Sequence, residues 1–186
     1  MYRVSRRALS TLTVTLSASA LLAAGAQATI LHVNGQQTTI TPSSQATEFL
    51  TNHHITVTPL GVATLSGGSL TLPIVGGRVG TPKLNGFVRH QGGVTFSGSG
   101  HSVSLRAFVL ARVGKQAFFL ATVGGKSLRV ARVTGWTQTI VNRTATIKGE
   151  LELTVKAASK IDHLFGKHVV GAGADIGSFT STVTVA

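Results

Sequence analysis

The sequence of 186 residues contains no cysteine. That absence excludes a disulfide-stapled fold, a thiolate metal site and a cysteine nucleophile. Acidic residues are scarce: five Asp and Glu stand against 17 Lys and Arg, for a formal net charge of +12. Tyrosine, tryptophan and methionine occur once each, as Tyr2, Trp136 and Met1. Charged residues make up 12% and apolar residues 42%, a balance too apolar for a disordered chain. The length corresponds to one domain of roughly 100–200 residues, large enough to bury a core without staples.

A long uncharged run occurs only at the N-terminus. Arg3, Arg6 and Arg7 form a basic region, Ala8 to Ala24 an apolar stretch diluted by Ser and Thr, and Ala26-Gln27-Ala28 an A-x-A cleavage site. The three-part pattern reads as a signal peptide over residues 1–28, with a transmembrane helix as the competing reading. Ser5-Arg6-Arg7-Ala8-Leu9 resembles a twin-arginine export signal, and an ordinary Sec signal is the alternative. Cleavage leaves a single secreted β-rich domain, residues 29–186, without a second long apolar segment. The expected location is secreted or cell-envelope associated.

The dominant hydrophobic period in that domain is two, the signature of strands. In 143–155, Ala145, Ile147, Leu151, Leu153 and Val155 share one face with Gly149. Thr144, Thr146, Lys148, Glu150, Glu152 and Thr154 share the other. In 102–113 the alternation places Val103, Leu105, Ala107, Val109, Ala111 and Val113 together. Shorter strands follow at 36–41, 54–59, 69–75, 84–90, 93–98, 116–123, 126–133 and 177–185. Gly114-Lys115 and Gly124-Gly125 suit two-residue hairpin loops, and Gly67-Gly68, Gly76-Gly77 and Gly92-Gly93 punctuate other bends. Faces that are half apolar and half polar predict an antiparallel all-β domain, in the form of a β-sandwich. Two short helices interrupt it. Thr41 as cap and Pro42 at the first position open one through His53, and the other spans about 156–165 with Gly166 as its stop. Phe49-Leu50-Thr51-Asn52-His53 can be laid on Leu164-Phe165-Gly166-Lys167-His168, as a duplicated unit or by coincidence.

Catalytic motifs are incomplete. Gly98-Ser99-Gly100 does not extend to G-x-S-x-G, and Val123-Gly124-Gly125-Lys126-Ser127 lacks the first glycine of a phosphate-binding loop. Glu150 and Glu152 share a strand face about 7 Å apart. Glycoside hydrolysis uses carboxylates about 5–9.5 Å apart, but Lys148, Thr146 and Thr154 beside them describe an ordinary solvated face. The domain therefore reads as non-catalytic, with a glycan hydrolase using Glu150 and Glu152 as the lesser alternative. Of the seven histidines, His90 and His101 bracket a segment that a hairpin could fold back. Together they are the candidate cofactor-binding pair, against the reading of two surface histidines. The basic surplus outside the cytoplasm points to anionic envelope polymers or glycans as partners. Most phenylalanines fall on strands, so the stacking platform expected for nucleic acid is missing.

Leu84-Asn85-Gly86-Phe87-Val88-Arg89-His90-Gln91-Gly92-Gly93-Val94-Thr95-Phe96 combines a glycine-opened strand, a histidine near glycines and a second alternating strand. With Leu72-Pro73-Ile74-Val75-Gly76-Gly77 before it, this stretch resembles the HtaA-type domains of secreted actinobacterial proteins. Leu164-Phe165-Gly166, Gly171, Gly173 and Ile176-Gly177 extend the likeness to the C-terminal third. The resemblance implies a β-rich haem-binding module that uses a tyrosine supported by a histidine. His90 is the position it carries over; His101 is the second contact in the reading of haem or metal capture. No tyrosine remains after residue 28, so histidine is the ligand type left to such a site. The leading expectation is a non-catalytic binding or structural module of the envelope, with haem or metal binding through His90 as the alternative.

Overall fold

The computed structural model describes residues 29–81, 83–165 and 171–186. The leader 1–28, Gly166 and His168 lie outside the described residues, so the cleavage site, the helix stop and the duplication cannot be placed on the fold. The strands in chain order are β1 (Ile30–Pro42), β2 (Thr56–Leu60), β3 (Thr64–Ser66), β4 (Ser69–Gly80), β5 (Asn85–His90), β6 (Gly93–Gly98), β7 (His101–Val113), β8 (Gln116–Val123), β9 (Lys126–Val141), β10 (Thr144–Leu153) and β11 (Asp175–Val185). Helix α1 spans Ser44–Asn52 and α2 spans Val155–Phe165. Among the described residues no helix is long and apolar enough to cross a membrane.

Every pairing is antiparallel, and the sheet closes on itself. Along the order β7-β5-β4-β1-β11-β10-β9-β8 each strand bonds the next, and β8 returns to β7. The expected all-β antiparallel fold is present, but its two-sheet form gives way to an eight-stranded barrel with β6, β2 and β3 as extensions. Alternation looks the same in both forms, since each has one inward face per strand. The decision lies in β7. Its residues 109–112 bond β5 on one edge and β8 on the other, leaving no free edge there. Its first half bonds β6 instead, through 101–106. The change of partner falls at Ala107, whose φ of 49° marks a bulge.

That bulge corrects the face assigned to β7. Val103 and Leu105 point inward as expected, but beyond Ala107 the buried residues are Phe108 and Leu110, while Val113 is 79% exposed. One extra residue shifts the phase of everything after it. Gly135, φ 58°, does the same in β9, so that Ala131 and Val133 point inward before it and Trp136 after it. Gly76-Gly77 is not a bend but lies inside β4, beside a register shift. A Cβ on Gly77 would stand 2.2 Å from the Phe87 carbonyl oxygen, so only glycine lets β4 and β5 approach there. The Gly114-Lys115 and Gly124-Gly125 hairpins form as expected.

Helix α1 is capped by Ser43, whose hydroxyl accepts from the Ala46 N–H at 3.1 Å. Thr41 and Pro42, expected as cap and first helical residue, still pair with Ser178 and Gly177 in the sheet. Thr154 caps α2 in the same way through the Ala157 N–H, at 3.2 Å. Both helices lie at one end of the barrel, where β1 and β10 end and β9 and β11 begin.

Candidate ligand-binding site

Inward alternation fills the middle of the barrel with Leu72, Ile74, Leu110, Phe119, Ile147 and Val183. Three polar side chains interrupt this packing. Thr38 from β1, His90 from β5 and Ser181 from β11 are all buried, His90 being 4% exposed and the other two fully covered. His90 Nδ1 lies 3.0 Å from the Phe108 carbonyl oxygen, which can only accept. Nδ1 therefore carries the proton. Nε2 lies 2.7 Å from Thr38 Oγ1, which is in turn 2.8 Å from Ser181 Oγ. Burial pushes the His90 pKa down from 6.5 to about 4, against the opposing pull of the Phe108 carbonyl. The Thr38 hydroxyl donates to Ser181 Oγ, so Thr38 ties the ring on β5 to β11. Protonating the ring adds an Nε2–H that donates to Thr38 Oγ1 and leaves the Thr38-to-Ser181 bond in place. No buried side-chain polar atom among the described residues lacks a partner.

Toward the helical end the packing stops. A cavity of about 560 Å³ opens there, a size typical of small-molecule sites. Its walls are Phe49 and Leu50 from α1, Ala157, Ile161 and Phe165 from α2, and inward residues of the strand ends such as Phe96, Leu105 and Val130. The polar lining is sparse. Thr47 donates to the Ser43 carbonyl, Asp175 accepts from the Gly177 N–H at 2.8 Å, and Gln45 and Lys160 complete the set. The strand residues are the inward half of the alternation. The helix residues are the apolar stripes that the sequence shows at helical spacing. What the sequence does not show is that these stripes face a space rather than each other.

His90 stands one side chain behind the cavity wall. Its ring is 6.2 Å from that of Phe119, which lines the cavity, and its Nδ1 is tied to Phe108, which lines it too. His101 opens β7 at the exposed β6–β7 turn. Arg89, next to His90, pairs with Val109, eight residues further along β7 and thus about 26 Å away at strand rise. The structure does not bring the two histidines together. Glu150 and Glu152 lie on the outer face of the barrel, and Glu152 bonds Arg132, whose Nε is 3.1 Å from its carboxylate. Trp136 is half-buried at the opposite end, its Nε1 donating to Gln138 at 2.8 Å and the Arg112 guanidinium lying 4.6 Å from its ring. Two residues of the buried triad escaped sequence reasoning. Ser181 did leave a signal, a polar residue at an inward position between Phe179 and Val183; Thr38, in a run of polar residues, left none.

No family model matches the sequence, and no curated relative does. Solved structures do match in fold. The C-terminal domain of HtaA from Corynebacterium glutamicum aligns with a TM-score of 0.66 at 13% identity, covering 84% of this chain and 99% of that domain. HtaB, a haem-binding protein of the same organism, aligns with a TM-score of 0.60 at 13% identity over 86% of this chain and 96% of its own. A histidine-to-alanine variant of the HtaA domain, crystallised as a domain-swapped dimer, gives 0.57 at 12% identity, over 76% of this chain and 90% of its own. The chain has the HtaA-type fold, as the resemblance implied.

The cavity does not supply what iron in a haem would need from its wall. The described residues lining it include no histidine, tyrosine, cysteine or methionine. His90, behind the wall, has both ring nitrogens engaged, and the ring of His53 lies 4.7 Å from that of Phe49 on the wall. No group of three or more metal-ligating side chains gathers among the described residues.

Proposed function

We propose that the protein is a non-catalytic binding module of the cell envelope that carries an apolar ligand in the cavity between α1 and α2. The observation that supports this most is the cavity itself, about 560 Å³ of space walled by aliphatic and aromatic side chains in a barrel otherwise closely packed. Apolar surface left uncovered inside a fold forgoes stabilisation of about 25 cal/mol per Å², and a ligand restores it. The leader supports export, and the basic outer surface, with Arg89, Arg129 and Lys148 of the strands and Lys156 of α2 exposed, suits attachment to anionic envelope polymer. Retention on such a polymer should weaken steeply with salt.

The test is a titration of the purified protein with an environment-sensitive apolar dye, beside a Leu105→Trp variant that fills the cavity. A single saturating site, lost in the variant while its thermal midpoint is kept, supports the reading. No saturable binding, or binding indifferent to the variant, overturns it.

Haem is the second reading, favoured by the fold shared with HtaB. In this chain it would rest on shape and apolar contact unless Nε2 of His90 left Thr38. Haemin titration separates the cases. A Soret band near one equivalent that His90→Ala removes supports ligation through His90, and a stoichiometric complex untouched by that change sinks the assignment.

A further inference from the structure

Among the described residues the cavity adjoins a polar recess whose charged side chains are of one sign. Lys160 of α2 lines the apolar cavity and also a second, polar recess beside it, formed by Ser102, Ser104 and Arg106 of β7, Thr122 of β8 and the Gly124-Gly125 turn. Val103 and Val123 belong to both walls, so recess and cavity meet along a shared edge. Lys160 and Arg106 are exposed, and neither has a carboxylate within ion-pair distance among the described residues. The carboxylate that does line the cavity, Asp175, is held by the Gly177 backbone. An apolar space that ends at two unpaired cations and a set of hydroxyls matches a molecule with the complementary division.

We infer that the site takes a single-chain amphiphile with an anionic head, its chain in the cavity and its head against Lys160 and Arg106. This rests on the reading of the cavity as the ligand site and adds to it the ligand's chemical class. The chain is selected by apolar burial, each added methylene strengthening binding about four-fold until the cavity is full. The head is selected by charge-assisted hydrogen bonds from the two cations, with the Ser102 and Thr122 hydroxyls beside them. A carboxylate and a phosphate share this chemistry, so a fatty acid and a lysophospholipid are its two sources. Lys160 sits where the two environments meet, its stem along apolar wall and its ammonium at the exit, as amphipathic side chains do.

The experiment measures displacement of a fluorescent fatty acid from the purified protein by palmitate, hexadecanol and palmitoyl lysophosphatidate, with Lys160→Met and Arg106→Gln variants alongside. Palmitate is expected to bind about ten-fold or more tighter than hexadecanol, and each variant to remove most of that preference while leaving hexadecanol within about two-fold. Preference for the lysophosphatidate over palmitate identifies a phosphate head, and the reverse a carboxylate; either supports an anionic head. Equal binding of acid and alcohol overturns the head inference and leaves the cavity reading standing. Failure of all three to bind overturns the cavity reading with it. Equal weakening of acid and alcohol in the variants, with a lowered thermal midpoint, makes the two cations structural and overturns the inference as well.

Discussion

The two ends of the barrel are built from the same strands and differ in what crosses between them. At the closed end Val79, Leu84, Val88, Leu110 and Val183 meet from opposite walls and are all 2% exposed or less, with Trp136 and Arg112 covering them. At the helical end Phe96 and Leu105 point inward by alternation, and Leu128, Val130 and Ile176 line the same space beside register shifts that break it, yet each remains only partly buried. Inward orientation is a property of the strand. Burial depends on a partner, and at the helical end α2 seats Ala157 and Ala158 on Leu153 while the space that both helices wall stays open beside them. The closed end holds the fold and the open end is free to hold something else.

The largest effect should come from weakening the closed end against the open one. Ile147→Ala, at a position 1% exposed, is expected to cost about 2–5 kcal/mol, the range for emptying a packed core site. Leu105→Ala borders open space and has fewer contacts to lose, so its cost should stay below about 1.5 kcal/mol. Urea midpoints at an unchanged m-value measure both. Equal losses would mean that the space is filled in solution and would erase the contrast between the ends.

The next effect sharpens the boundary between them, where His90 sits. In the unfolded chain this ring takes a proton near 6.5, in the fold only at about 4. Between those values the unfolded state binds more protons, so acid favours unfolding. Stability that His90 does not compromise at pH 7 should fall as the pH drops below 6.5, and the loss should level off below 4 at about 3 kcal/mol. His90→Gln cannot titrate, so the difference between its pH–stability curve and that of the parent isolates the effect. Parallel curves would show that the ring protonates as easily inside as outside. Thr38→Val probes the same layer more gently. It leaves Nε2 of His90 and Ser181 Oγ without the hydroxyl that both contact, at an expected cost of about 1–3 kcal/mol in chemical denaturation. Adding Ser181→Ala should cost less than that second change costs alone, because the two hydroxyls share one network.

How much of this was legible in the sequence depended on whether local pattern or distant geometry decides the feature. The β10 face of Ala145, Ile147, Gly149, Leu151 and Leu153 is buried as its period of two required, but Val155, expected on the same face, opens α2 and is 72% exposed, because the strand ends at Leu153; the two glycine hairpins fall where positive φ was needed. Alternation could not reveal closure, because it is decided by which strands bond both edges of β7. Nor could it foresee the bulge at Ala107: no residue there favours positive φ, and the two-to-one pairing depends on where β5, β6 and β8 meet β7. Ser43 rather than Thr41 caps α1 because sheet pairing extends two residues past the first capping signal. His90 stood out in the sequence, and it is a buried, fully bonded ring. The cavity was not legible, since a helix stripe such as Phe49 and Leu50 reads the same whether it meets side chains or space.

The smallest expected effect lies outside both ends, on the outer face of β10. Arg132 and Glu152 form an ion pair whose side chains are 60% and 28% exposed. Solvent screens such a pair, so Glu152→Gln should change stability by less than about 1 kcal/mol in urea. The same substitution tests chemistry. A hydrolase built on Glu150 and Glu152 would lose turnover of a glycan on this change, whereas a binding module would keep its dye titration unaltered. The geometry favours the second outcome. A general acid needs a proton at working pH and a substrate held against it. Glu152 is instead engaged by the Arg132 guanidinium, and the outer strand face it occupies is on the other side of the barrel wall from the cavity. A loss of ligand binding in Glu152→Gln would show that the wall transmits strain from its outer to its inner face, and that the open end is less independent of the rest of the barrel than its packing indicates.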